Sequence, residues 1–192
     1  MAARGWVSIS TLIVILALCP SRITAQVNLV INPSFEIYDT CPSTVDQINF
    51  AQGWFQPNTL NGSTDYFNSC SSSTFVSVPS NVCGYQQAHS GQAYAGAGIV
   101  IQVSWNYGRE YLEGSLSQPL DSNRKYCTSI YTSLSNNSEL STEIGIKFTA
   151  DSLLYAGPSY QTLGVVPQIV ITDIVALEDT FGWVLSHRIY NA

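Results

Sequence analysis

From Gln26 onward, no stretch of about ten residues places its apolar side chains at the 3.6-residue period of a helix, whereas alternation recurs. In Ile144-Gly145-Ile146-Lys147-Phe148-Thr149 one face reads Ile, Ile, Phe and the other Gly, Lys, Thr, the pattern of a half-buried strand. Residues 125–134 are rich in β-branched and aromatic side chains, with Tyr126, Thr128, Ile130, Thr132 and Leu134 on one face. Residues 94–105 form a long apolar stretch interrupted by Gly96 and Gly98, and glycines inside a strand mark a bulge or a close backbone approach. Residues 165–175 and 183–190 are two further strand candidates. Polar turn signals separate these runs. They are Asn61-Gly62 within 58–63, a serine-rich segment at 69–74, and Asp121-Ser122-Asn123, which reads as a hairpin turn. Short strands joined by polar turns predict an all-β sandwich or barrel. The 192 residues suit one domain and can bury a core, and no internal repeat or second domain is visible.

The first 25 residues read differently. Arg4 supplies a positive start, 12–19 is an unbroken apolar run, and Pro20 ends it. The run is shorter than the roughly 20 residues a transmembrane helix needs. Ile23-Thr24-Ala25 places a small residue before a plausible cut. A cleaved secretory signal peptide over 1–25 is expected, with 26–192 as the mature domain and no transmembrane segment in it.

Charged residues make up only 10% of the chain, so its polarity comes from Ser, Thr, Asn, Gln and Tyr. After Ala25 the balance is five bases against thirteen acids, a net charge of −8. No basic patch offers a footprint for nucleic acid or an anionic membrane surface. Neither is therefore an expected partner.

Beyond the signal stand four cysteines, Cys41, Cys70, Cys83 and Cys127, an even number that suggests disulfides in an exported chain. Four cysteines allow three pairings. Cys41 and Cys70 both lie in turn-rich stretches and are the first pair expected. No C-x-x-C spacing points to zinc or to a thioredoxin-like site.

Catalytic patterns are sparse. Only His89 and His187 could activate a nucleophile, and although His89 precedes Ser90, neighbours on a strand face opposite ways. There is no G-x-S-x-G elbow, no H-E-x-x-H and no Gly-rich phosphate loop before a helix. Glycoside hydrolysis needs two placed carboxylates. Glu110 and Glu113 lie close in sequence, while Asp65, Asp121 and Asp173 are scattered, so a carboxylate-dependent hydrolase is the last of three readings. The chain is expected not to be an enzyme.

Aromatic and amide side chains carry the stronger signal. Sugar rings present apolar C–H faces that stack on aromatics, while amides bind their hydroxyls. Trp105, Asn106 and Tyr107 fall in a stretch that reads as a loop, where binding residues concentrate, and Tyr66 and Asn68 add a second such pair. Trp54 is expected in the core. These five are the candidate ligand-binding residues.

Several blocks taken in order carry a resemblance. They are 28–36 with its Asn32-Pro33-Ser34-Phe35-Glu36, Gly53-Trp54, Asp65-Tyr66-Phe67-Asn68-Ser69-Cys70, and Val78-Pro79-Ser80-Asn81. Residues 84–96, Arg109-Glu110-Tyr111-Leu112, Gln118-Pro119-Leu120 and Lys125-Tyr126-Cys127 follow. From about Asn28 to the end, this order resembles a family of carbohydrate-binding-module-like (galactose-binding-like) jelly-roll domains of exported bacterial proteins. Such domains often stand ahead of OmpA-like, gliding-motility-associated or type IX sorting domains. The resemblance implies a jelly-roll β-sandwich and a structural calcium held in part by Glu36. Asp179-Thr180 and Trp183 resemble the start of the family's penultimate block, and the sequence reaches Ala192 before the strands that normally follow. A jelly roll incomplete at its C-terminus is therefore expected. With the aromatic and amide signal, the resemblance implies a noncatalytic exported or cell-surface binding module for glycans as the leading functional expectation, its partner a glycan or another cell-envelope component met at the outer-membrane surface or in the extracellular space. The alternative is a structural or adhesion domain that contacts other envelope proteins.

Overall fold

A computed structural model describes residues 27–57, 64–99, 101–103, 106–138, 143–153, 163–173 and 177–192. The expected signal peptide, the Asn61-Gly62 turn and Trp105 lie outside the described residues.

The chain is all-β. Twelve strands follow in order: β1 (Trp54–Phe55), β2 (Asp65–Asn68), β3 (Ser80–Asn81), β4 (Gly84–Tyr85), β5 (Ala93–Gly96), β6 (Ile101–Val103), β7 (Asn106–Gly108), β8 (Glu113–Gly114), β9 (Lys125–Thr132), β10 (Ile144–Ile146), β11 (Ile169–Ile171) and β12 (Val184–Asn191). Among the described residues one 3-10 turn, Ile48–Phe50, precedes them. Among the described residues no helix is long and apolar enough to cross a membrane. The strands pair antiparallel as β1 with β8, β2 with β5, β3 with β4, β6 with β7, β9 with β12 and β10 with β11.

The longest ladder joins β9 to β12 in the register Val184↔Thr132 through Asn191↔Lys125. Alternation explains its two faces. Tyr126, Thr128, Ile130 and Thr132 are half-buried, while Lys125, Cys127, Ser129 and Tyr131 are exposed. The same alternation runs from Ile144 through Phe148, where Phe148 stacks on Tyr190 of β12 at 4.5 Å. The turn at Asp121-Ser122-Asn123 does not close a hairpin. Asn123 adopts φ 63° and its N–H donates to the Ala192 carbonyl at 2.7 Å, so the turn aims β9 at the C-terminal strand instead of at its predecessor. The apolar stretch 94–105 is likewise broken into β5 and β6, and among the described residues of 165–175 only Ile169–Ile171 pairs as a strand.

β2 and β5 show no alternation because both faces of their ribbon are covered. Tyr66, Ala93 and Ala95 face a cluster with Ile48, Ala51 and Trp54. Phe67 and Tyr94, paired in register, face a second cluster with Val76, Val78 and Trp183. Tyr66 and Phe67 are 0% and 1% exposed, and burying each side chain contributes on the order of 2–3 kcal/mol. Trp54 lies in the first cluster as expected, against Phe35 at 4.5 Å, with its indole N–H on the Asn32 carbonyl.

The segment at 28–36 makes one bridge, Val30↔Leu116, and then turns. Asn32 and Phe35 both take positive φ. The Asn32 amide closes the turn by donating to the Ile37 and Gln52 carbonyls and accepting from the Ile37 N–H. Asn tolerates this backbone conformation better than other non-glycine residues.

Cys41 and Cys70 form a disulfide with a Cα–Cα separation of 6.0 Å. The expectation that all four cysteines pair is corrected: Cys83 and Cys127 are free thiols. Cys83 sits in the turn between β3 and β4 against the second core cluster, whereas Cys127 points outward from the middle of β9.

Candidate functional site

Three segments distant in sequence meet at one end of the β9–β12 ladder: the β4 strand and its continuation to Ser90, the end of β9 with the loop after it, and the turn that enters β12. Their neutral side chains bind them together. The Ser133 hydroxyl donates to Gln86 Oε1 at 3.1 Å and lies 3.3 Å from the Asp179 carbonyl, which also accepts from the Leu134 N–H. The Tyr85 N–H donates to Asn136 Oδ1 at 2.8 Å, and the Asn137 amide donates to the Val82 carbonyl at 3.0 Å. Gly84, at φ +119°, lets Asn136 approach, since a Cβ there would collide with the Asn136 side chain. Asp179 Oδ1 accepts from the Phe181 and Gly182 N–H groups and shapes the turn. Those two amides hold its carboxyl below the usual range.

This frame carries a chain of aromatic rings running from the core to the surface. Phe67 packs on Tyr94 at 5.1 Å, and Tyr94 meets the edge of Trp183 at 5.4 Å. Trp183 in turn meets His89 edge-on at 6.4 Å, and His89 stacks on Tyr131 at 3.6 Å with planes 26° apart. The Trp183 indole N–H donates to the Gln87 carbonyl at 2.7 Å, fixing the ring against the 84–90 segment. Tyr94 is anchored by its hydroxyl, which accepts from Asn81, and burial pushes its pKa up to about 12. The inner rings are thus held by the core, while His89 and Tyr131 lie open at the surface. Tyr85, with its hydroxyl on the Gln87 amide, and Phe181, in the turn before Trp183, are exposed aromatics of the same segments. The arrangement offers rigid ring faces edged by Gln and Asn amides, which suits stacking and neutral hydrogen bonding.

The sequence-predicted site residues lie elsewhere. Tyr66 and Asn68, expected to bind ligand, are corrected to core residues: they are 0% and 1% exposed. The Tyr66 hydroxyl donates to the Phe35 carbonyl at 2.8 Å and accepts from the Asn68 amide at 2.7 Å, so their polar atoms are spent inside. Asn106 and Tyr107 are on strand β7, paired with Val103 and Gln102, and not in the loop expected for them. Trp105 lies outside the described residues.

Glu36, expected to hold calcium, turns Oε1 toward the chain, where it accepts from the Gln92 and Ala93 N–H groups at 2.9 and 3.0 Å. Gly91, at φ +67°, lies so close that a Cβ would strike this carboxylate. Among the described residues no group of three or more His, Cys, Asp or Glu side chains gathers around a point. Glu110 accepts from the Gly98 N–H at 2.6 Å and Glu113 from the Leu153 N–H at 3.2 Å, so each carboxylate serves a different backbone segment. Asp65 accepts from the Asp46 N–H, and burial, with Glu110 and Asp46 adding like charge, raises its pKa to about 6.

Sequence reasoning set His89 aside once no triad could be assembled, and treated Trp183 as the start of a strand candidate and part of a family block. The usable signal was Tyr131, an aromatic on the solvent side of a strand whose other outward residues are Lys125, Cys127 and Ser129. No protein-family model, no curated protein and no solved structure matches this chain.

Proposed function

We propose that the protein is a noncatalytic exported binding module, a jelly-roll β-sandwich that recognises glycans. The observation that carries this reading is the stack of His89 on Tyr131 at 3.6 Å, backed by Trp183 and edged by Gln86, Gln87, Asn136 and Asn137. A pyranose ring lays its C–H face on such a surface while the amides take its hydroxyls. Ring stacking in the same energy range as aromatic pairs, ~1 kcal/mol per contact, gives weak sites that gain from multivalent polysaccharide. The Cys41–Cys70 disulfide supports export, since such bonds persist in oxidising compartments. The test is a broad polysaccharide and peptidoglycan array probed with the purified protein. Retention on glycan supports the reading, and a blank array contradicts it.

One observation favours adhesion to a protein as the second reading. On the outward face of the β9–β12 ladder, Leu185 and Ile189 are 44% and 60% exposed beside Tyr131 and Cys127. An exposed apolar face of this kind suits a protein contact. Recovery of an envelope protein in a pull-down, lost on Ile189→Lys and unaffected by added glycan, would establish it in place of the first.

A further inference from the structure

Resting on the glycan reading, the charge pattern of the same surface narrows the ligand. The three segments that build it, 84–90, 131–137 and 177–184, contain no Lys and no Arg. Their formal charges are Glu178 and Asp179, with His89 as the single further titratable base. Asp179 accepts from two amides of its own surface turn, Glu178 is exposed, and both carboxylates keep their charge at the surface. The remaining polar groups are Gln, Asn and Ser, and the segment after Ala25 carries −8 overall. Uronate, sulfate and phosphate groups are bound most strongly through Lys, Arg or a metal ion, and most specifically by the two-pronged guanidinium. Here an anionic polymer would find no such donor and would meet a surface of its own sign.

We infer that the surface around His89, Tyr131 and Trp183 takes uncharged pyranose rings and rejects anionic glycans. A polysaccharide and a glycoprotein present the same ring chemistry to this surface. Stacking needs one unsubstituted C–H face, so recognition depends on ring stereochemistry and hardly on ionic strength.

Affinity electrophoresis at neutral pH tests this with the purified protein run through gels containing mannan, xyloglucan or β-glucan against gels containing polygalacturonate, alginate or heparin. A neutral N-glycosylated glycoprotein and its enzymatically deglycosylated form make a further arm. The expected result is retardation by at least one neutral polymer or by the glycosylated protein alone, unchanged when salt is raised roughly tenfold. Tyr131→Ala should weaken it by roughly five- to tenfold. Tyr131→Phe, which keeps the ring, should retain it. Retardation by anionic polymers that vanishes with salt would overturn the inference and leave the glycan reading standing. Retardation by neither class would overturn both.

Discussion

The imidazole of His89 lies over the phenol ring of Tyr131 at 3.6 Å, although the two residues come from different segments and neither is part of a buried cluster. Trp183 meets His89 edge-on, and its indole N–H is fixed on the Gln87 carbonyl. A surface stack tied to the core in this way is preorganised, so little ordering cost falls on ligand binding. Replacing Trp183 by Phe keeps a ring and removes the indole donor. Glycan affinity should fall roughly threefold or more, with a loss of about 1 kcal/mol in stability. Calorimetric titration and denaturant unfolding of the same preparation check both numbers.

Glu36 accepts two amide hydrogen bonds from the start of β5, and such charge-assisted bonds are worth more than neutral ones. Glu36→Gln should cost about 1–2 kcal/mol in denaturant unfolding. The cost should be the same with calcium and with a chelator if the carboxylate acts through the amides. A cost that appears only with calcium would mean that a metal shares the group.

The disulfide between Cys41 and Cys70 closes a sequence separation of 29 residues, which on loop entropy stabilises by about 3–4 kcal/mol. Cys41→Ser/Cys70→Ser should lower the denaturant midpoint accordingly. Alkylation of the native oxidised protein should label Cys127 quickly. Cys83, whose thiol pKa is pushed up by burial and by the nearby Asp65 charge, should label slowly. Peptide mapping distinguishes the two.

Asp65 has a folded-state pKa of about 6 against an ordinary value of 3.8, with burial as the main cause. Its protonated form is the one the fold prefers. The associated stability is therefore complete below pH 3.8 and is lost as pH rises toward about 6. The full displacement corresponds to ~3 kcal/mol, which solvent screening at a partly open carboxylate reduces to about 1–2 kcal/mol. Asp65→Asn keeps an oxygen for the Asp46 N–H. It should stabilise the protein at pH 7 by about that amount and flatten the slope of stability between pH 4 and 6. Urea unfolding across that range measures it.

Much of the strand content was legible because one-sided burial leaves an imprint on the sequence. β9 reads correctly since every second residue from Tyr126 to Thr132 is covered. β2 was hidden for the opposite reason: its ribbon is buried on both faces, so Tyr66, Phe67 and Asn68 carry no period. That is also why Tyr66 and Asn68 read as an aromatic and an amide available to a ligand when they are a hydrogen-bonded pair in the core. Pairing across long separations leaves no local mark, so β12 could not be assigned to β9, nor Trp183 and His89 to Tyr131. The Cys41–Cys70 bridge was accessible because both ends lie outside regular strands. The solvent-facing Cys127, held in a long ladder, has no such freedom to meet Cys83.

The central claim is that the aromatic surface at His89, Tyr131 and Trp183 is where ligand binds. Its most direct test is an amide and side-chain NMR titration of labelled protein with neutral oligosaccharides. The account predicts shifts confined to the Trp183 indole N–H, the His89 and Tyr131 rings and the Gln86 and Gln87 amides, all abolished in Tyr131→Ala. Shifts centred on the Asn106–Gly108 strand, or none with any sugar that the intact protein retains, would contradict it.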